Sequence, residues 1–154
     1  MTKNLINWSW KRFEEFGTTE LYYLLAARNE VFVVEQRCIY QDLDGLDFTA
    51  HHLCAMGDHG LVAYLRLLPP GGLHAEPAIG RVMTVSAARG DGLGRKLLVR
   101  GIHGCRKYFP GQVLRVSAQS HLEEFYKSLG FVTVSPVYDD DGIPHLDMLL
   151  ARSE

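Results

Sequence analysis

The segment Arg89-Gly90-Asp91-Gly92-Leu93-Gly94 constrains what this chain can fold into more than any other. Ahead of it, Ile79 to Val85 reads as a strand. Behind it, Leu93, Leu97, Leu98, Ile102, Cys105 and Phe109 keep helical spacing from Gly92 to about Tyr108, and Pro110-Gly111 stops the helix. A glycine turn placed there gathers unpaired N–H groups and the positive end of the helix dipole at one point. The glycines let main chain approach an anion closely, because no Cβ intervenes and positive φ costs little. Charge agrees: Gly92 to Leu122 carries six cations and no acid in a chain of net charge -2. The segment predicts an anion site on an α/β fold.

The residues around the turn separate three anions. A P-loop needs Gly-Lys-Ser/Thr, and here Gly94 is followed by Arg95 and Lys96 with no hydroxyl for magnesium. A dinucleotide fingerprint needs an acidic residue about 20 positions on, yet none occurs between Asp91 and Glu123. Coenzyme A, with its pyrophosphate and ribose phosphate, suits a glycine loop backed by cations and lacking a ribose-binding acid. Nucleic acid is excluded as main partner, since the basic stretch has no interleaved aromatics and the flanks are acidic.

The other elements follow from periodicity. Ile6, Trp8 and Trp10 alternate as in a half-buried strand, and Leu21, Leu24, Leu25, Arg28, Val31 and Phe32 predict a helix from Thr19 to Val34, capped by Thr18 or Thr19. Glu35 to Ala50 reads as a long ordered loop or short broken helix. His52 to Met56 and Leu61 to Leu68 form a hairpin across Asp58-His59-Gly60, and Val113 to Ala118 is a further strand. A last helix, with Ser120 and Glu123 as capping box and Gly130 closing it, precedes a hairpin of Phe131 to Val137 and His145 to Leu150 across Asp139-Asp140-Asp141-Gly142. The 154 residues are expected to form one domain, 1–154, an α/β fold with a mixed, mostly antiparallel sheet of six or seven strands and helices on both faces. No run approaches the roughly 18 apolar residues of a membrane helix, and Met1-Thr2-Lys3-Asn4 opens no secretory signal, so no membrane and a cytoplasmic location are expected. Cys38, Cys54 and Cys105 are read as reduced thiols, mostly buried.

Arg89, Gly92 and Gly94 match the signature of the GNAT superfamily of acetyltransferases, Arg or Gln, two residues, Gly, one residue, then Gly or Ala. Met83-Thr84-Val85 resembles the family's bulged strand beside the pantetheine arm. Ala118-Gln119 followed by Phe125-Tyr126-Lys127-Ser128-Leu129-Gly130-Phe131 is similar to its second cofactor motif, F-Y-x-x-x-G-F. Arg28 to Gln36, with Tyr40, Asp44-Gly45, Asp47 and His51, resembles the ElaA group over nearly the whole chain. One departure is Gln119-Ser120, where the superfamily often has an Asn.

The resemblance implies an N-acetyltransferase that moves an acetyl group from acetyl-CoA to a primary amine by direct attack in a ternary complex. Met83, Thr84, Val85, Arg89, Gly90, Asp91, Gly92, Leu93, Gly94, Arg95 and Gln119 would hold the cofactor, and Tyr126 would serve as acid to the departing thiolate. Glu35 is favoured as base over Asp44, Asp47 and His51; with Arg28 and Phe32 these last three make the expected acceptor contacts, and their acidity suggests a cationic acceptor. The acceptor is a small-molecule or peptide amine, and exposed sheet edges admit a homodimer. No metal is expected, since His51 and His52 point to opposite faces of a strand. Alternatives are a longer-chain acyltransferase, because Arg28 and Val31-Phe32 also resemble acyl-homoserine-lactone synthases, or a non-catalytic coenzyme A binding module.

Overall fold

The computed structural model describes residues 5–152, so the Met1 to Asn4 opening lies outside them. Eight strands form one sheet: β1 (Asn7–Arg12), β2 (His51–Gly57), β3 (Gly60–Leu68), β4 (Ala78–Thr84), β5 (Leu114–Gln119), β6 (Val132–Thr133), β7 (Tyr138–Asp140) and β8 (Ile143–Leu150). Three helices cover it: α1 (Thr18–Asn29), α2 (Leu93–Tyr108) and α3 (Glu123–Ser128). The strand order is β1-β2-β3-β4-β5-β8-β6, with β7 on β8. Every pairing is antiparallel except β4 with β5, which α2 joins as a crossover helix. Among the described residues no helix is long and apolar enough to cross a membrane.

Side-chain alternation divides the core in two. Leu53, Ala55, Ala63, Leu65 and Leu67 pack with α2 and α3 on one face. Cys54 and Tyr64, between them in sequence, pack with Leu24, Val31 and Phe32 on the other. Helices therefore lie on both faces, and the mixed α/β expectation holds with eight strands. The thiols of Cys38, Cys54 and Cys105 are free and buried, and burial pushes Cys54 up to about 12 and Cys105 up to about 11.

Five expectations are corrected. Gly17, not Thr18 or Thr19, precedes α1, and its N–H donates to Glu20 Oε1 at 3.3 Å. The helix then widens into a π-helical turn over Glu30–Glu35, which ends at the loop. Ser120 does not cap α3: Ser120–Leu122 forms a 3-10 turn, and the Glu123 carboxylate instead accepts from Thr133 Oγ1. The strand expected from Phe131 to Val137 shrinks to β6, because Pro136 has no N–H and Ser135 Oγ takes the Asp147 N–H. The final hairpin is β7 with β8, joined at Asp141-Gly142, so Asp139 and Asp140 belong to a strand.

α2 lies close on the sheet at Gly101 and Gly104. A Cβ on Gly104 would come within 2.2 Å of the Trp10 ring, and one on Gly101 within 2.8 Å of Leu65. Elsewhere in a helix Gly→Ala stabilises by about 1 kcal/mol. At Gly104 the clash reverses the sign: Gly104→Ala should destabilise by about 1–3 kcal/mol, read as a lower urea midpoint together with a changed Trp10 emission. A midpoint equal to or above the parent's would remove this account of the packing.

Candidate active site

The cleft arises where the sheet fails to close. β4 and β5 pair only at Ala78 with Arg115 and Ile79 with Val116. Beyond Ile79 the strands part, and residues of both line a cleft of about 700 Å³. A bulge shapes its β4 wall. Tyr64 faces Met83 while Arg66 faces Gly80, so two steps along β3 match three along β4. The extra residue switches the alternation: Ile79 packs toward α2, and Met83 toward α1. The bulge thus lies at Arg81 and Val82, ahead of the expected Met83-Thr84-Val85. Met83 and Thr84 line the cleft, but Val85 does not: its N–H donates to Val62 O at 2.9 Å.

The glycine turn lies between β4 and α2; Arg89 at its start lines the cleft, whereas Gly90 to Arg95 are not among the cleft's lining residues. Gly90 and Gly92 have φ of +104° and +72°, and a Cβ on Gly90, Gly92 or Gly94 would meet no atom within 4 Å. Gly92 precedes α2, and no main-chain acceptor among the described residues takes the N–H groups of Gly90 to Arg95. The turn is an open N–H concavity at a helix start, with Lys96 and Arg95 exposed beside it. The side chains divide differently. Leu93 is buried in the α2 core, and Arg95 donates to Ser128 Oγ at 2.9 Å, fastening α2 to α3. Arg89 donates to Thr84 O from Nε at 3.0 Å and from Nη2 at 2.8 Å, and pairs with Glu35, so it joins the turn to β4 and to the π-helical turn.

On the facing wall Tyr126 is 4% exposed, edge-on to Phe125 and Phe131, and lines the cleft. Burial pushes its phenol up to about 12, and its hydroxyl has no protein hydrogen-bond partner among the described residues. Gln119, at the end of β5, also lines the cleft, as do Glu35 and Phe32. The structure therefore gathers Met83, Thr84, Arg89, Gln119, Tyr126, Glu35 and Phe32 around one space.

Four residues expected at the acceptor lie elsewhere. Arg28 is 0% exposed and donates to Asp42 at 3.0 Å and Asp47 at 2.7 Å. Asp47 also accepts from Arg66 at 3.0 Å, and Asp44 takes two bonds from Arg66, at 2.9 and 2.6 Å. Burial, the largest influence on Asp44, would raise its pKa; bonds from Arg66 and the Leu46 N–H, with the Arg66 and Arg81 charges, outweigh it and hold the carboxyl at about 2. These carboxylates are matched by arginines, because a buried charge needs a partner. His51 stacks on Tyr108 with centroids 4.0 Å apart and hydrogen-bonds Arg12 at 2.8 Å. Burial and the Arg12 charge lower its pKa.

Other cleft residues escaped the sequence reading. Arg66, Arg81 and Val82 line it from β3 and β4, and Asp140, Asp141 and His145 from the β7–β8 hairpin. Cys38 Sγ donates to Asp141 O at 3.3 Å, linking that hairpin to the loop after α1. An Asp-Gly turn signals a hairpin, but nothing local says where the hairpin lies.

The sheet opened between its two parallel strands, with a bare glycine turn at the helix mouth, defines an acyltransferase of the GNAT class. The chain belongs to that family: the domain described as Acetyltransferase (GNAT) domain matches residues 18–152. Within it, the chain is similar to protein ElaA of Escherichia coli (strain K12), 40% identical over 146 residues covering 94% of this chain and 95% of that one. The crystal structure of Escherichia coli ElaA aligns with a TM-score of 0.89 at 38% identity, over 95% of this chain and 99% of its own. A UPF0039 protein of Synechocystis sp. is 47% identical over 145 residues, 94% of each chain. An acyl-CoA N-acyltransferase from Pseudomonas aeruginosa aligns with a TM-score of 0.90 at 44% identity, over 96% of this chain and all of its own, 100%.

Proposed function

We propose that this protein is an N-acetyltransferase that transfers the acetyl group of acetyl-CoA to a primary amine by direct attack, both substrates occupying the cleft together. The observation that carries the reading is the open N–H concavity at Gly90 to Arg95 beside the parting of β4 and β5. Glycines whose added Cβ would face only open space suit a pyrophosphate, and the adjoining cations add charge. Gly90 to Arg95 would hold the diphosphate, with the free edge of β4 at Met83 and Thr84 and the Gln119 side chain along the arm. The thioester supplies the activated acyl carbon. Positioning of two reactants in one cleft accounts for much of the rate, about 7–11 kcal/mol where orientation is good.

The protein's own groups divide the proton work. Tyr126 holds a proton on an oxygen with no other protein partner. Glu35 is the candidate base: it lines the cleft, and a phosphate that drew Arg89 away would free its carboxylate. Charge on the cleft wall points to the acceptor. Arg66, Arg81 and Arg89 are each paired with Asp44, Asp42 or Glu35, whereas Asp140 and Asp141 have no ion pair among the described residues. The surplus is negative and favours a cationic amine. It comes from the hairpin, not from the Asp44 and Asp47 first expected to supply it.

Thermal unfolding tests the reading. At about 100 times Kd, acetyl-CoA should stabilise the native protein by about 2.7 kcal/mol, a rise of roughly 5–10 °C. Gly92→Val, which places a branched side chain at φ +72° on the concavity, should abolish most of that rise. Added diamines should raise the midpoint further in the presence of coenzyme A, and neutral amides should not. A flat midpoint at millimolar acetyl-CoA would remove the proposal.

A further inference from the structure

Arg81 occupies the bulge of β4 with φ +50°, a backbone region that glycine enters freely and side-chain-bearing residues rarely do. Where a glycine would suffice for the turn, the choice of arginine implies work for its side chain. That side chain is well engaged. Its Nε lies 2.8 Å from Asp42 Oδ1, though off the line of a hydrogen bond; Nη2 donates to Asp42 O at 3.0 Å and reaches Asp44 Oδ2 at 3.4 Å. The guanidinium also stands over the Tyr40 ring, 5.4 Å from its centroid.

These anchors are themselves fixed. Asp42 is held by buried Arg28, Asp44 by buried Arg66, and Tyr40 donates its hydroxyl to Asp42 Oδ1 at 3.0 Å. Arg81 alone among the three arginines of this network sits on β4 itself. The bulge it occupies also decides which way the following edge faces: with one β3 residue, Leu65, against two on β4, Met83 turns toward α1 instead of following Ile79 toward α2. An unbulged strand would reverse every side chain and main-chain group from Val82 to Thr84.

From this we infer that Arg81 is a positioning residue, tethering the left-handed bulge of β4 to Tyr40, Asp42 and Asp44 so that the Val82 to Thr84 edge keeps its direction toward the cleft. It acts on the acceptor-side loop as well, since Tyr40 lines the same cleft. The catalytic consequence rests on the acyltransfer reading above, whereas the tether itself does not.

The test is Arg81→Gly, which keeps the backbone conformation accessible and removes only the tether. Hydrogen exchange read by NMR should quicken at least about tenfold for the β4 amides bonded to β3 around the bulge, with α2 core amides such as Leu97 and Leu98 unchanged. In acetylation assays kcat should fall about tenfold or more while the Kd for acetyl-CoA moves less than about threefold, because the glycine turn is untouched. Arg81→Lys keeps the charge but not the fork, and should lie between the two in both readouts. Parental exchange rates at the bulge in Arg81→Gly would overturn the tether; if that variant does not fold, parental rates in Arg81→Lys would do so. A parent protein that binds no acetyl-CoA would sink the acyltransfer reading alone, leaving the exchange result to decide the tether.

Discussion

Replacing Tyr126 by Phe should lower turnover between about 10- and 150-fold and leave acetyl-CoA affinity within about twofold, to be read by steady-state acetylation and by calorimetry. The substitution removes one oxygen and keeps the ring, so the edge-on packing against Phe125 and Phe131 survives. What it removes is a proton held on an oxygen that no protein group engages. Burial sets the character of that proton. With the phenol pushed up to about 12 and an ordinary thiol near 8.5, outright transfer to a leaving thiolate runs uphill. On the proposed reading Tyr126 would act instead by donating a hydrogen bond as charge builds on sulfur, a contribution of about 1.5–3 kcal/mol, and the predicted rate loss is that energy expressed as a ratio. The pH profile separates this role from the base. Tyr126 stays protonated from pH 6 to 9, so the Phe variant keeps the parent's ascending limb, which belongs to the group that takes the amine's proton, at lower height. Unchanged kcat in Tyr126→Phe would return Tyr126 to a packing role.

The parts of this fold that could be read in the sequence are those fixed by neighbours in the chain. Trp8 and Trp10 alternate because β1 buries one face, Leu97 and Leu98 repeat with α2, and Gly92 marks a positive φ that the structure places at +72°. The glycine turn was legible for the same reason: its strand, its glycines and its helix are contiguous. Illegible features depend on distant partners or on a residue type that carries no local signal. Arg81 is the sharpest case, since an arginine announces no turn, yet it holds φ +50° because a network contributed by residues some 40 positions earlier grips its side chain. Asp44 and Asp47 read as free acids because their arginines, at 66 and 28, are remote in sequence. Asp140 and Asp141 read as a turn because their nearness to the cleft is a product of sheet order, which no local pattern encodes.

That network makes Arg28 a residue whose loss costs the fold heavily. Arg28→Ala should lower stability by about 3–5 kcal/mol at pH 7, a large part of the about 5–15 kcal/mol typical of a whole domain. The cause is what remains behind: Asp42, 7% exposed, keeps Arg81, and Asp47, 7% exposed, keeps only Arg66 at 3.0 Å. Removing one partner leaves buried negative charge undercompensated, a heavier loss than the pair's net value when intact. The pH dependence gives the diagnosis its sign. Burial would raise the Asp47 pKa, but Arg28 and Arg66 together lower it below its ordinary 3.8. In the parent, Asp47 therefore contributes stability that is present above about pH 4 and is lost as pH falls through the lower folded value. Without Arg28 the folded pKa rises, so protonation relieves the variant at a pH where the parent is still being weakened. Urea denaturation should show the full gap at pH 7 and a narrower one at pH 3. A gap below about 1 kcal/mol at pH 7, or one equally wide at both values, would mean that the arginine contributes by volume and not by charge. Activity should fall in step with the fraction folded, since Arg28 reaches the cleft only by steadying the loop that carries Tyr40 and Cys38.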